Sequence, residues 1–268
     1  MNKNIAILGC GWLGLPLAVS LVKAGYKVKG STTSSEKLTT LENASISPFL
    51  IHLKETGIEG AIDAFLSETD TLFIDIPPGL RKDPSGNYVA KIQHLIFALQ
   101  KTKVSHVIFA SSTSVYGNIE GSVTELTTPT PNTESGKQLL KTENLLLKEP
   151  SFKTTILRFA GLIGEDRHPI TFLSGKKGIK HPEACVNLVH RTDCMEIIQR
   201  IIEQEPKEKV FNVAYPSHPS KKEYYEREAN RRKLEPPQFE SSGYQGKCIE
   251  SNLLMKALAY NFQKDINL

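Results

Sequence analysis

The strongest indication of the fold lies near the start of the chain, in Ile5-Ala6-Ile7-Leu8-Gly9-Cys10-Gly11-Trp12-Leu13-Gly14. Four consecutive apolar residues are typical of a strand that is buried on both faces, as in a parallel sheet. They run directly into a Gly-x-Gly-x-x-Gly pattern, which the helical spacing of Leu13, Leu17 and Leu21 follows. A strand, this pattern and a helix in direct succession indicate a turn that binds the diphosphate of a dinucleotide.

Each residue of this turn has an expected role. Gly9 permits the tight turn, Gly11 lets the backbone approach the diphosphate, and Gly14 allows the helix and the strand to pack closely. Trp12 and Leu13 are expected to contact the cofactor too, because free N–H groups at the start of a helix attract an anion. The alternative is a glycine-rich turn that binds no ligand.

The composition is that of an ordinary folded protein. The chain has 268 residues, of which 39% are hydrophobic and 23% charged, and its net charge is +4. These values exclude collagen, low-complexity disorder and a disulfide scaffold. The small charge excess is spread along the chain, so we expect no nucleic-acid partner.

Residues 5–22 carry no charge and resemble a signal peptide or a short membrane span. The glycines, Pro16 and the lack of a small-residue cleavage site argue against both interpretations. We therefore expect a cytoplasmic protein that does not bind a membrane.

The four cysteines form no Cys-x-x-Cys pair and no zinc-ligand spacing; they are Cys10, Cys185, Cys194 and Cys248. We expect buried or unreactive thiols in a reducing compartment. The histidines show no ligand spacing either, and no metal ion is expected.

Strand-like and helix-like segments alternate along the chain. Strands are predicted at residues 5–8, 26–29, 71–76, 106–110, 154–159, 186–190 and 210–214, and helices at 13–22, 88–101, 133–148, 193–204 and 220–231. This alternation predicts an α/β fold, a Rossmann-type doubly wound parallel sheet. Residues 1–160 are predicted to form the NAD(P)-binding Rossmann domain. Residues 161–268 are predicted to add the remaining strands and a small C-terminal substrate-binding lobe, with loop over 161–183.

The end of the second strand indicates which dinucleotide binds. NAD-binding proteins usually place an acidic residue there, on the ribose 2′-hydroxyl. This chain instead has Ser31, Thr32 and Thr33, and no acid before Glu36. Hydroxyls and lysines accept a 2′-phosphate that a carboxylate repels, so the sequence favours NADP, with NAD as the other possibility. The alternative is that these hydroxyls belong to a polar loop.

Several motifs together resemble one superfamily. They are Ala110-Ser111-Ser112-Thr113-Ser114-Val115-Tyr116-Gly117, Lys137, Asp75-Ile76-Pro77-Pro78, Leu157-Arg158-Phe159-Ala160-Gly161-Leu162-Ile163-Gly164, Asn187-Leu188-Val189-His190-Arg191-Thr192-Asp193 and Phe211-Asn212-Val213. With the glycine turn, they resemble the extended short-chain dehydrogenase/reductases, specifically the NAD-dependent epimerase/dehydratase family and its bacterial YeeZ-like branch. The resemblance covers nearly the whole chain.

The resemblance implies a catalytic arrangement from which the chain departs at one position. Ser112 falls where the family has a hydroxyl that orients the substrate, and Lys137 where it has a lysine that holds the nicotinamide ribose. The catalytic tyrosine position, four residues before that lysine, holds Thr133, whose alkyl hydroxyl is far less acidic than a phenol. Tyr116 is the nearest candidate replacement, although a residue that only lines the pocket is the alternative.

The remaining contacts also follow from the resemblance. Ile76, Pro77 and Ser111 are expected to contact the cofactor. Arg167, His168 and Asn187 are expected to contact the substrate, since cationic groups neutralise a phosphate or carboxylate; a solvated basic loop is the alternative.

The function that these residues imply is an NAD(P)-dependent oxidoreductase or epimerase/dehydratase-like enzyme. Its substrate would be small and hydroxylated, or of the nucleotide-sugar type, and the protein a monomer or homodimer. The alternatives are an NADP(H)-binding sensor or scaffold without chemistry, and a nucleotide-sugar binding module without redox activity.

Overall fold

A computed structural model describes residues 3–241, 243–244 and 246–266. The strands are β1 (Asn4–Leu8), β2 (Lys27–Thr32), β3 (Ser47–Leu50), β4 (His52–Lys54), β5 (Gly57–Glu59), β6 (Thr71–Ile74), β7 (His106–Ser112), β8 (Gly121–Val123), β9 (Lys153–Phe159), β10 (Gly161–Ile163), β11 (Leu188–His190), β12 (Val210–Val213) and β13 (Lys247–Ile249). The helices are α1 (Gly14–Lys23), α2 (Leu38–Asn43), α3 (Ile62–Leu66), α4 (Tyr88–Leu99), α5 (Glu134–Lys148), α6 (Ile170–Leu173), α7 (Arg191–Gln204), α8 (Lys221–Arg231) and α9 (Asn252–Ala257). A 3₁₀ turn, Thr113–Tyr116, follows β7.

The central sheet has seven strands in the order β12-β9-β7-β6-β1-β2-β3. All of its neighbouring strands pair in parallel. The chain leaves β1 toward β2 and later returns to place β6 on the other side of β1, so the winding direction reverses between β1 and β6. The predicted doubly wound Rossmann-type sheet is confirmed, and its ligand cleft is expected beyond the carboxyl ends of these two strands.

The core explains why the local patterns fold in this way. Ile5, Ala6, Ile7 and Leu8 of β1 are all buried, as expected for a central strand that helices cover on both faces. The i, i+4 series Leu13, Leu17 and Leu21 is also buried, and it packs α1 against the sheet. The apolar patterns that predict β1 and α1 therefore identify residues that are buried in the core.

Smaller elements form a lobe at the carboxyl edge of the sheet. β10 pairs with β11, and β8 pairs with β13. Ile163, Ile170, Val186, Leu188 and Tyr224 belong to a second apolar cluster there. Strand β12, which comes from the later part of the chain, lies in the central sheet. The division of the chain into two domains at residue 160 stays a prediction.

The prediction of continuous loop over residues 161–183 is wrong, because this range contains β10 and α6. Gly161 donates its N–H to the carbonyl of Asn187, a partner distant in sequence. Short strands of this kind depend on such pairing rather than on their own residues, so composition alone does not reveal them.

Two of the cysteines are paired, which corrects the expectation of four free thiols. Cys185 and Cys248 form a disulfide, with Cα atoms 5.4 Å apart, whereas Cys10 and Cys194 are free and buried. The pair joins positions 63 residues apart. Such a separation gives no local signal, and only the packing of β13 against the lobe brings the two residues together.

Replacing Cys248 with serine is expected to lower the free energy of unfolding by about 2–4 kcal/mol, because the bond restricts a long loop in the unfolded chain. Urea denaturation of oxidised protein measures this. Cys185→Ser should lower the free energy of unfolding by a similar amount. The double variant should lower it no further than either single variant does. Additive losses would contradict the pairing.

None of the helices in the described part of the chain has the length and apolar content needed to cross a bilayer.

Candidate functional site

A cleft lies where the winding of the sheet reverses. It consists of two adjoining cavities of about 340 Å³ and about 790 Å³. Both have Gly11, Asp75, Ile76 and Pro77 in their walls. The smaller cavity is lined from the end of β2, and the larger one from the ends of β7 and β9. The two together form one continuous trough across the predicted ligand edge.

The glycine turn forms the wall between the two cavities, and β2 holds it in place. Gly9 has φ +109°, a conformation that favours glycine. Its N–H donates to Ser31 Oγ at 2.9 Å, and the N–H of Cys10 donates to the Ser31 carbonyl at 2.8 Å. A Cβ on Gly14 would lie 2.1 Å from the Gly9 oxygen, so the helix requires glycine at that position.

Gly11 differs from the other two glycines of the turn. A Cβ on Gly11 would meet no protein atom within 4 Å. Within the described residues, the N–H groups of Trp12 and Leu13 have no protein acceptor. Open space beside two free donors at the start of a helix is the geometry of an anion site.

Asp75 lies opposite the turn, and the sequence analysis did not assign it a role. It follows β6 and lines both cavities. Burial raises the pKa of its carboxyl to about 7, against the opposing effect of a hydrogen bond from the Gly14 N–H. A proton on Asp75 near neutral pH removes a negative charge from the place where a phosphate would lie.

Of the three hydroxyl residues predicted at the end of β2, two have structural roles. Ser31 is buried and holds the glycine turn, and Thr32 Oγ1 accepts from the Ser34 N–H at 3.1 Å. Thr33 is exposed and lines the smaller cavity together with Lys37 and Lys91. A hydroxyl and two lysines thus face this cavity.

A buried polar network supports the floor of the larger cavity. Ser111 Oγ donates to Glu143, and Arg158 donates to both carboxylate oxygens of Glu143, with its shortest contact at 2.7 Å. Arg158 also donates to the hydroxyl of Tyr116 at 2.8 Å, which in turn donates to Asn212 Oδ1 at 2.8 Å. Charges and hydroxyls are paired throughout this network, so it holds β7, β9 and α5 in one arrangement.

The position of Tyr116 does not fit the catalytic role that was expected for it. Its ring is fully buried, and its hydroxyl is held by Arg158, Asn212 and the carbonyl of Thr124. It is absent from the walls of both cavities. Burial raises the pKa of this phenol, although Arg158 acts in the opposite direction. Tyr116 is a structural residue of the floor.

Thr133 and Lys137 line neither cavity of the cleft. Thr133 is the N-cap of α5, and its Oγ1 accepts from the Gly136 N–H at 3.1 Å. Lys137 is exposed, whereas Leu139, two residues further, lines the larger cavity. Two residues correspond to a rotation of about 200° around a helix, so the two side chains leave α5 on opposite sides. Of these residues of α5, Leu139 therefore lies on the side that faces the larger cavity.

Ser112 does lie in the wall of the larger cavity, as predicted, and Ser111 lies beside it. The hydroxyl of Ser112 accepts from the Ser114 N–H at 3.1 Å and so begins the 3₁₀ turn. An oxygen that accepts from the protein keeps its own hydrogen to donate to a ligand.

The other walls of this cavity are cationic. Arg81, Arg167 and Lys247 line it, and Asp75 is the acidic residue among its lining residues. Arg167 stacks over the ring of Trp12 at 4.9 Å from the ring centre. Arg167 is one of the predicted substrate residues, whereas Arg81 and Lys247 belong to none of the sequence motifs.

The remaining two predicted substrate residues are packed within the lobe. His168 is 4% exposed, and it contacts the Tyr224 hydroxyl at 2.9 Å rather than either cavity of the cleft. Burial lowers the pKa of His168 to about 4, so the ring is neutral. Asn187 donates to the Lys247 carbonyl at 2.7 Å and accepts from the Ile249 N–H at 2.8 Å, so it holds β13.

Fold and cleft together define a Rossmann-type protein of the extended kind, in which a C-terminal lobe covers a trough at the sheet edge. Comparisons with known proteins agree. The chain is 35% identical over 266 residues to the protein YeeZ of Escherichia coli, a match that covers 97% of this chain and 96% of that one. No protein-family model matches the sequence.

Two further similar proteins are named for an enzymatic activity. YtcB of Bacillus subtilis, named an uncharacterised UDP-glucose epimerase, is 28% identical over 151 residues, which cover 52% of this chain and 48% of that protein. The structure of UDP-glucuronic acid 4-epimerase from Bacillus cereus with UDP-glucuronic acid and NAD superimposes with a TM-score of 0.80 at 18% identity, over 99% and 96% of the two chains. The chain belongs to the same family as YeeZ, and its fold is that of the extended short-chain dehydrogenase/reductase epimerases.

Proposed function

We propose that this protein is an NAD(P)-dependent oxidoreductase or epimerase/dehydratase-like enzyme that acts on a hydroxylated substrate of the nucleotide-sugar type. The open space at Gly11, beside the free N–H groups of Trp12 and Leu13, is the observation that carries this proposal. A dinucleotide placed there has the smaller cavity for its adenosine end and the larger one for its nicotinamide end. Solved relatives that hold NAD support the assignment.

The chain's own residues would bind and orient the reactants. The N–H groups of the glycine turn bind the diphosphate, and Ile76 and Pro77 line the passage between the cavities. Ser112 donates a hydrogen bond to the substrate oxygen from the wall of the larger cavity. The bound cofactor supplies hydride transfer, which no protein side chain provides.

The cationic wall favours an anionic substrate. Arg81 and Arg167 line the larger cavity, where the diphosphate of a nucleotide sugar would find two guanidinium groups. The nucleotide sugars named for YtcB and for the Bacillus cereus epimerase are consistent with this class. We further propose a cytoplasmic location and a monomeric or homodimeric state.

For the cofactor, we propose a preference for NADP over NAD. Thr33, Lys37 and Lys91 line the smaller cavity, and no acidic residue follows β2 before Glu36. Lys37→Gln is expected to weaken NADPH binding about 10-fold, or about 1.4 kcal/mol, and to leave NADH binding unchanged. Calorimetric titration measures both affinities.

Lys27→Gln is the matched control, since Lys27 is an exposed lysine at the other end of β2. Equal affinities for NADH and NADPH, with no effect of Lys37→Gln, would contradict the NADP preference. Failure of both nucleotides to bind or to raise the melting temperature would overturn the proposed function itself.

A cofactor-binding sensor or scaffold is the second candidate, and one observation favours it. Thr133 caps α5, and neither Thr133 nor Lys137 lines either cavity of the cleft, so the tyrosine–lysine pair that the family resemblance implies has no counterpart in the walls. Enzymatic turnover distinguishes the enzyme from the sensor or scaffold. Assays with NADPH or NADP and a panel of UDP-sugars should detect oxidation or epimerisation that Ser112→Ala reduces. Tight cofactor binding without turnover across the panel would favour the sensor.

A further inference from the structure

Lys247 enters the larger cavity from the C-terminal lobe. It is the first residue of β13, and its side chain lines the wall that Ser112 and Thr113 also line. Its Nζ donates to the carbonyls of Thr113 at 2.9 Å and Gly117 at 2.8 Å. The amine therefore lies against the turn that begins at Ser112.

Three independent contacts fix the backbone at this position. Lys247 pairs with Gly121 of β8, its carbonyl accepts from Asn187 at 2.7 Å, and Cys248 is bonded to Cys185. The strand pairing, the Asn187 amide and the disulfide thus all hold the same short segment of the lobe. Reactive groups need this kind of support, because small displacements of a catalytic group cost activity.

Burial disfavours the charged form of the Lys247 amine. Among the described residues, no carboxylate forms an ion pair with Lys247, and burial lowers the pKa of its amine. The ionisable groups that share the cavity wall are Asp75, Arg81 and Arg167, and Glu250 on the neighbouring segment bonds Ser122. A neutral amine that donates two N–H groups to two carbonyls keeps one lone pair free.

We propose that Lys247 is the acid/base residue of this enzyme and transfers the proton of the substrate hydroxyl in place of the absent tyrosine. The inference rests on the proposed function. Tyr116, Thr133 and Lys137 are not among the residues that line the two cavities, whereas Lys247 lines the larger one, carries a titratable amine and has a backbone held by three contacts.

During oxidation of the substrate hydroxyl, the bound cofactor would accept the electron pair. In oxidation, the substrate O–H bond breaks and its proton joins the Lys247 amine, which becomes an ammonium. The adjacent C–H bond breaks, and its hydrogen leaves with the electron pair to the oxidised nicotinamide ring, so that a C=O bond forms. In the reverse direction the ammonium returns the proton to the oxygen.

The pKa of Lys247 can be measured without enzymatic turnover, and it tests the inferred acid/base role. Acetic anhydride labelling of the NADH-loaded protein at a series of pH values, read by mass spectrometry of the peptides, gives the pKa of each lysine. The pKa of Lys247 is expected to lie below that of Lys256, an exposed lysine of α9 in the same molecule. A pKa of Lys247 equal to that of Lys256 would overturn the inference.

Variants separate proton transfer from anion binding. Lys247→Met is expected to lower kcat toward a UDP-sugar about 100-fold or more, the range for losing a general acid/base, and to leave NADH affinity unchanged. Lys247→Arg can hold an anion but cannot release a proton near neutral pH, so we expect it to retain KM and lose kcat. Lys256→Met is the matched control.

The outcomes also separate the inference from the proposed function. An active Lys247→Arg enzyme with an unchanged pH–rate profile would assign Lys247 to anion binding and overturn the inference alone. Wild-type protein that binds neither NADH nor NADPH would overturn the proposed function, and the inference with it. Melting temperatures of the variants show whether a loss of kcat reflects unfolding.

Discussion

Replacing Gly11 with alanine is expected to leave the fold intact and to weaken NADH and NADPH binding at least about 100-fold, or about 2.7 kcal/mol. A Cβ on Gly11 meets no protein atom within 4 Å, so the free protein accommodates it. The same methyl group occupies the space in which the backbone must approach a diphosphate. Calorimetric titration measures the loss of affinity, and thermal unfolding without ligand checks the fold.

Gly14→Ala is the matched control, because it adds the same methyl group three residues away. Its Cβ would lie 2.1 Å from the Gly9 oxygen, so this variant should lower the melting temperature of the free protein. The contrast between the two glycines distinguishes a ligand site from a packing requirement. Normal dinucleotide binding by Gly11→Ala would show that no diphosphate lies in the turn.

Replacing Glu143 with leucine is expected to lower the free energy of unfolding by about 3–5 kcal/mol, because it leaves a buried charge without its partner. The Arg158 and Glu143 side chains are 6% and 1% exposed, and their shortest contact is 2.7 Å. The same change releases Ser111 in the cleft wall and disturbs Tyr116 through Arg158. Urea denaturation measures the loss.

Two comparisons make this result specific. Glu143→Leu combined with Arg158→Met should recover much of the lost stability, since a well-packed apolar pair replaces a buried ion pair at little cost. Glu59→Leu breaks the exposed pair with Lys54, for which a change of at most about 1 kcal/mol is expected. A loss at Glu143 as small as that at Glu59 would contradict the structural role of the network.

The site could be predicted from the sequence only where its signal is local. The glycine turn is one contiguous segment between a strand and a helix, so its residues and their order define its geometry. Lys137 was assigned by its place in a motif, but the rotation of α5 determines which side chain faces the cleft, and that residue is Leu139. Tyr116 is close to Ser112 in sequence, yet the 3₁₀ turn between them directs its ring into the floor.

Lys247 could not have been predicted from its own segment. No motif surrounds it, and it reaches the cleft only because β13 pairs with β8 and is held by Asn187. The same pairing brings Cys248 to Cys185, which spacing alone did not indicate.

The parallel sheet, the order of its early elements and the glycine turn follow from local sequence, because apolar periodicity and glycine spacing act through neighbours along the chain. The tertiary structure decided which polar groups enter the cleft. That choice depends on helix rotation, strand pairing and burial among residues far apart in sequence, so Tyr116 and Thr133 became structural residues while Lys247 came to line the cavity.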